Sequence, residues 1–166
     1  MTSIQHRVCL LLGSNIEPEK NIRQAIEQLR SRFFIVQISK AWETPAWGTN
    51  GPNFLNVAVM INTSLDPYQL KTLVLRPLEA QLKRERSADK FAPRTIDIDI
   101  VAWDAEVFEG SLWDHAYLAV PVAEVLPCYQ SDETGEYLEQ AAQRLRRASL
   151  IWPRPEVLGK LMAAIS

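Results

Sequence analysis

The stretch Ile96-Asp97-Ile98-Asp99-Ile100 constrains this chain more than any other. Its strict alternation is the period of a β-strand, with the isoleucines on one face and the aspartates on the other. The isoleucines require a core. The aspartates are poor strand formers, so a structural role alone explains them badly. Two residues along a strand advance about 6.5 Å on one face, so both carboxylates look into the same space. Hard divalent cations take oxygen ligands, and Mg²⁺ held by one or two carboxylates usually also carries substrate phosphates. Two such ions can clamp an in-line phosphoryl displacement. Just upstream lie Arg84, Arg86, Lys90 and Arg94. Guanidinium groups match phosphate oxygens bidentately. An acid pair on a strand behind a basic loop reads as Mg²⁺–polyphosphate chemistry, against the plainer reading of a charged strand edge.

Pro93-Arg94-Thr95 directly before the acid pair narrows the choice. The block resembles the signature of the 6-hydroxymethyl-7,8-dihydropterin pyrophosphokinase family: Gly-Arg-x-Arg, a short basic loop, then Pro-Arg-Thr-hydrophobic-Asp-hydrophobic-Asp. Other marks agree. Gly13-Ser14-Asn15 closes the first strand, and Thr44-Pro45, Gly48 and Phe54-Leu55-Asn56 match the segment that forms the family's pterin pocket. The run Leu118–Pro127 is similar to the family's Pro-Leu-x-Glu-Ile-x-Pro. The resemblance covers roughly residues 7–127.

It implies transfer of the β,γ-pyrophosphoryl group of ATP to the pterin hydroxymethyl oxygen, releasing AMP, in folate biosynthesis. Asp97 and Asp99 would hold two Mg²⁺. Arg84, Lys90 and Arg94 would act on the phosphates as catalytic groups. The pterin would be bound by Thr44, Pro45, Trp47, Phe54, Asn56 and Tyr117, with Phe54 and Tyr117 stacking and Asn56 hydrogen-bonding the ring edge. Aromatic faces and a side-chain amide suit a flat heterocycle. Glu79, Arg84, Lys90, Arg94, Ile98 and His115 would contact the nucleotide. Departures from the pattern are Lys83 for the glycine, Lys90-Phe91 for an Arg-Trp pair, and a shortened loop before Pro121. The shortened loop motivates one alternative, a non-catalytic pterin-binding or regulatory relative that has lost ATP. Another is a Mg²⁺ enzyme acting on a different heterocyclic alcohol.

The remaining chain supplies the scaffold. Arg7–Leu12 reads as a buried first strand. Pro18 opens a helix running to about Phe33, with Ile22, Ala25, Ile26 and Leu29 on one face. Phe34–Trp42 and Phe54–Thr63 read as strands. Asp66-Pro67 starts a second helix with Leu70, Leu73, Val74, Leu78 and Leu82 inward. Pro77 costs that helix a hydrogen bond, so a bend is expected near Leu73–Pro77. Trp103-Asp104 suggests a turn and Glu106–Phe108 a short edge segment. Glu136–Arg147 has helical spacing, and Ile151–Ile165 is apolar enough to dock. The order β-α-β-β-α-β specifies an α+β ferredoxin-like sandwich. Both helices should cover the isoleucine face and leave the aspartate face free.

With 166 residues, 47% of them hydrophobic, the chain suits one domain, comprising a core of 7–127 and a helical appendage over 136–166. A net charge of −2 gives no global field for nucleic acid. No apolar run is long enough to span a membrane. Two cysteines without metal spacing fit a reducing, cytoplasmic compartment, with Cys9 a buried thiol. The partners expected are pterin and ATP, for a monomer or at most a weak dimer.

Overall fold

The structure, a computed structural model, describes residues 2–159 and 161. Four long segments build the sheet: β1 (His6–Ser14), β2 (Phe34–Ile38) with β3 (Trp42–Thr44), β4 (Phe54–Thr63) and β5 (Asp97–Trp103). β1 lies between β4 and β5, and β4 carries β2 and β3 on its far side, all antiparallel. With α1 (Pro18–Arg32) and the second helical segment in the two crossovers, this is the expected ferredoxin-like order. The expected edge segment is β6 (Glu106–Val107), paired with β5 after a turn at Asp104.

The expected second strand is broken in two. At the break, the Ser39 hydroxyl accepts the Ala58 N–H at 2.9 Å, and Lys40 N–H turns away to Glu124 Oε2 at 2.9 Å. A side chain has replaced a ladder bond, so pairing with β4 resumes only at Trp42.

The second helix starts as read: Asp66 and Gln69 cap each other reciprocally. It then runs as α2 (Pro67–Gln69), a π-helical turn over Leu70–Leu75 and α3 (Arg76–Gln81). The disturbance falls one turn ahead of Pro77. A wide turn there puts Arg76 N–H onto Lys71 O and eases the proline into the segment. The extra residue shifts the phase of the stripe. Leu73, expected inward, is 62% exposed, and Leu75 is buried in its place.

One face of the sheet presents Val8, Leu10, Leu12, Val57, Val59, Ile61 and Ile98 to α1 and the second helical segment. The opposite face is not left free, as the sequence suggested. Its far half is covered by α4 (Ala116–Val125) and α5 (Leu138–Ala148), which bury Cys9, Ala58, Met60 and Val101. A register shift between Cys9 and Leu10 lets Val101 and Ala102 both face these helices. Helix α4 escaped the sequence reading because it is apolar nearly all round and contains Pro121, so it shows no amphipathic period. Glu124 anchors it, accepting from Trp42 Nε1 at 2.6 Å.

The C-terminal segment is not one continuous helix: α5 ends at Ala148, and among the described residues helix returns at Gly159 and Leu161. After α5, β7 (Trp152–Pro153) pairs with β3, followed by a 3₁₀ turn over Pro155–Val157. Pro153 and Pro155 deny a continuous helix its donors. The described part docks, with Ile151, Val157, Leu158 and Leu161 buried. The rest of the expected Ile151–Ile165 appendage, residues 160 and 162–165, lies outside the described residues.

Candidate active site

Beyond the N-terminal end of α4, the sheet face is open. Across three neighbouring strands, Gly13 pairs with Asn56 on one side and Asp97 on the other, and Leu11 pairs with Asp99. Over them is a cavity of about 340 Å³, lined also by Thr44, Pro45, Trp47, Thr49, Phe54, Lys90, Phe91, Arg94 and Tyr117. All six expected pterin residues, both aspartates, Lys90 and Arg94 therefore share one space. Leu11, Gly13, Thr49 and Phe91 belong to it without having been singled out as site residues.

One end is shaped for a flat ring. Asn56 is buried, and its Nδ2 donates to Trp42 O at 3.2 Å and to Thr44 Oγ1 at 3.0 Å. A backbone carbonyl only accepts, so the amide nitrogen must face β3 and Oδ1 remains as an acceptor. Gly13 keeps that oxygen accessible, since a Cβ there would stand 3.7 Å from it. Phe54 and Tyr117 wall this end, and an aromatic chain closes the rim. Trp47 meets Phe91 at 6.0 Å and His115 at 5.9 Å, and His115 stacks on Tyr117 at 5.6 Å between centroids. Gly48 makes the closure possible: with φ of 74°, its missing Cβ would lie 2.6 Å from the Phe91 ring. His115 borders the cavity as the residue before α4 rather than lining it.

The other end is charged. Arg94 Nη1 donates to Asp97 Oδ2 at 2.9 Å, and Arg84 Nη2 reaches Asp97 Oδ1 at 3.7 Å. Among the described residues the buried Arg94 Nε has no hydrogen-bond partner, and the buried Arg84 Nε faces Glu79 Oε2 at 3.6 Å. The Gly-Ser-Asn turn after β1 positions Arg94. Asn15 Oδ1 accepts Arg94 N–H at 2.7 Å, and Asn15 and Ile16 N–H both donate to Arg94 O, at 3.1 and 3.2 Å. Lys83, where the resembling pattern has glycine, adopts a φ of 63° just past α3. That left-handed turn, which glycine takes without a Cβ penalty, redirects the chain into Arg84. Lys90 Nζ rests over the Phe91 ring at 4.9 Å.

Glu79 is buried rather than solvated, between Arg84 (3.6 Å) and Arg86 (3.3 Å). Burial, and then the Asp97 charge, push it up to about 7 against the pull of the two arginines. It lies outside the cavity lining, behind the arginines. Ile98 is also outside; its side chain is buried in the core on the opposite face, so only its backbone is available to a ligand.

Asp97 takes both guanidinium contacts and Asp99 takes neither. Asp99 is pushed up to about 6, first by the enclosing walls, then by Asp97 and Glu109. It stays exposed to the cavity, which moderates the rise. Two carboxylates repelling across one space form a hard-oxygen donor pair that a divalent cation would relieve. No group of three or more metal-ligating side chains occurs among the described residues. A cation here would thus draw its other oxygens from water or a ligand, which is the habit of Mg²⁺.

Comparison with known proteins supplies the family. The model of the 7,8-dihydro-6-hydroxymethylpterin-pyrophosphokinase (HPPK) family matches residues 9–127. A Bacillus subtilis 2-amino-4-hydroxy-6-hydroxymethyldihydropteridine pyrophosphokinase is 30% identical over 148 residues, covering 82% of this chain and 87% of its own. The enzyme of the same name from Methylorubrum extorquens is 37% identical over 133 residues, covering 73% and 83%. The HPPK-DHPS crystal structure of Plasmodium falciparum with pteroate superposes with a TM-score of 0.65 at 11% identity, over 87% of this chain and 43% of that longer one. That likeness carries the fold; the family model and the two sequence relatives carry the kinship. The chain belongs to the 7,8-dihydro-6-hydroxymethylpterin-pyrophosphokinase family.

Proposed function

We propose that the chain transfers the β,γ-pyrophosphoryl group of ATP to the hydroxymethyl oxygen of 6-hydroxymethyl-7,8-dihydropterin, releasing AMP, and that Asp97 and Asp99 would hold the two Mg²⁺ the reaction uses. The observation that carries the reading is the continuity of the cavity: an aromatic, amide-bearing end opens directly onto the end bearing Asp97, Asp99, Arg94 and Lys90.

Asn56 Oδ1 accepts from a ring N–H, while Phe54 and Tyr117 hold the ring in its plane and aim the hydroxymethyl arm towards the aspartates. Mg²⁺ held by Asp97 and Asp99 would supply charge neutralisation on the phosphates. With the aspartates holding a cation, Arg94 and Arg84 would turn from Asp97 to phosphate oxygens, and the unpartnered Arg94 Nε would add a donor. Lys90, on the loop, contributes a further point charge to the transferred group. Positioning and electrostatics suffice for phosphoryl transfer, so no dedicated side-chain base is assigned. The same charged end argues against a pterin-binding relative without turnover, for which arginines trained on Asp97 would have no use.

The test is AMP formation from ATP with 6-hydroxymethyl-7,8-dihydropterin and Mg²⁺. AMP and the pterin diphosphate should appear in equal amounts and cease when Mg²⁺ is chelated. Tight pterin binding with no AMP would overturn the reading in favour of the non-catalytic relative.

A further inference from the structure

The C-terminal segment after α5 lies outside the residues matched by the family, yet it is bonded to the strand that shapes the pterin end of the cavity. β7 pairs with β3, Trp42 opposite Pro153 and Glu43 opposite Trp152, and Arg154 N–H donates to Ala41 O at 2.8 Å. β3 is the strand whose Trp42 carbonyl and Thr44 hydroxyl hold the Asn56 amide. Between those two residues, Glu43 is half-buried and collects three donors. Arg154 Nη1 approaches Oε2 at 2.6 Å, Trp152 Nε1 reaches Oε2 at 3.1 Å, and Asn53 Nδ2 reaches Oε1 at 3.2 Å. Asn53 is the last residue of the loop 45–53, which starts after Thr44 at the end of β3 and carries Pro45, Trp47 and Thr49 of the cavity wall. One carboxylate thus ties both ends of that loop to the C-terminal segment.

The arginine that completes the tie is itself fixed. Its Nη2 pairs with Glu19 on α1 at 2.8 Å and its Nε with Glu156 in the following turn, while Arg23 Nε donates to Val157 O at 2.6 Å. Isolated exposed ion pairs contribute little, but a partly enclosed guanidinium spreading three donors over three carboxylates restrains geometry as a network.

We propose that residues 151–158 are a strap that positions the pterin loop, with Arg154 and Glu43 as positioning residues for pterin recognition. The proposal rests on the pterin reading of the cavity. The strap reaches the cavity through β3 and loop 45–53, which touches the loop before β5 at Trp47 and Phe91 but supplies none of the charged residues there, so its effect falls mainly on the pterin.

The experiment compares wild type, Arg154→Met and Glu43→Gln as full chains. Remote positioning changes of this kind shift affinity about 3- to 30-fold. Pterin KM should rise by that factor, with the KM for ATP and kcat at saturating pterin within about twofold of wild type. The double variant should be no worse than the worse single one, because both break the same tie. In ligand-free protein, backbone amides of 45–53 should exchange faster in both variants, while those of 8–12 stay unchanged. Glu43→Gln retains the side-chain shape and one accepting oxygen but loses the charge that pairs with Arg154, so it serves if Arg154→Met fails to fold. A lower Tm with unchanged pterin KM and unchanged exchange over 45–53 would reduce the strap to a structural brace and overturn the proposal. If wild type forms no AMP from pterin, the functional reading falls, and the exchange measurement still decides for or against the strap.

Discussion

Asn56 and Met60 occupy the same strand and the same face of the sheet, four residues apart. Asn56 borders an open cavity, and Met60 is sealed beneath α4 and α5. β1 repeats the contrast with Gly13 and Cys9, and β5 with Asp97 and Val101. Leu11, midway, belongs to both environments. Secondary structure is therefore not what separates site from core on this face. The separating element is the position of α4, which starts beside Tyr117 at the cavity wall and runs away over the other half. Under the helix, alternation supplies Cys9, Ala58 and Met60, which need only packing. Outside it, alternation supplies Asn56 and Asp97, whose burial under an apolar helix without partners would cost several kcal/mol each. Those groups are satisfied instead by β3, by arginines and, on the proposed reading, by substrate and metal.

The sharpest way to probe this contrast is to alter one residue at each end. Asp97→Asn should reduce turnover to below about 1% of wild type, since it removes the anchor of two arginines and, on the proposed reading, a metal ligand. Pterin affinity should remain nearly intact by calorimetry. Retention of more than a few per cent at saturating Mg²⁺ would remove Asp97 from the metal site. At the covered end, Met60→Ala should cost about 2–5 kcal/mol of stability by creating a cavity under α4. For a chain of this size that lowers Tm by roughly 5–15 °C. KM for both substrates should stay within twofold below the melting range. A Met60 variant with normal Tm and altered KM would break the division between the ends.

Residue by residue, legibility followed the same division. Ile96–Ile100 announced its strand and both faces, because alternation is a local signal. The residues proposed for pterin and phosphate stand in short motifs, and the structure gives some of them reasons the sequence could not. Asn15 holds the Arg94 backbone, and Lys83 occupies a left-handed turn. The cover was not legible. Helix α4 lacks an amphipathic period, so neither its existence nor the half of the face it hides could be read. Leu73 was misplaced because a π turn inserts one residue into a stripe that assumes a constant 3.6 period. The resemblance assigns Glu79 to the nucleotide, but its place outside the cavity follows from burial against arginines that approach only in three dimensions. The strap around Arg154 joins residues more than 100 apart in sequence, and no local pattern encodes such a bond.

A smaller effect should come from Asn56→Ala. The substitution removes the acceptor facing the cavity and leaves the Trp42 carbonyl and Thr44 hydroxyl without their donor. Loss of such a bond costs about 1–3 kcal/mol, or roughly 5- to 150-fold in pterin affinity. Nucleotide affinity with Mg²⁺ should not change. Equal pterin affinity in wild type and variant would detach Asn56 from recognition and leave it a strut between β4 and β3.

The smallest effect is a null expected of Cys9. It shares β1 and its face with Gly13, but burial pushes its thiol up to about 12. The thiolate is the reactive species, and its fraction at pH 8 is then about one in ten thousand. Raising the pH from 7 to 9 multiplies that fraction a hundredfold and still leaves it near one in a thousand. Cys128, by contrast, is exposed. An aromatic disulfide reagent at pH 8 should therefore modify one thiol per native chain quickly, and a second only after denaturation. If the covered half of the face is independent of the open half, pterin and Mg·ATP should leave the slow labelling of Cys9 unchanged apart from any global gain in stability. That gain is separable, since it would slow β1 amide exchange and Cys9 labelling by the same factor. Ligands that slow Cys9 labelling far more than exchange of its neighbours would show that α4 lifts from the sheet when the cavity is empty, and the two ends of the face would then be one coupled unit.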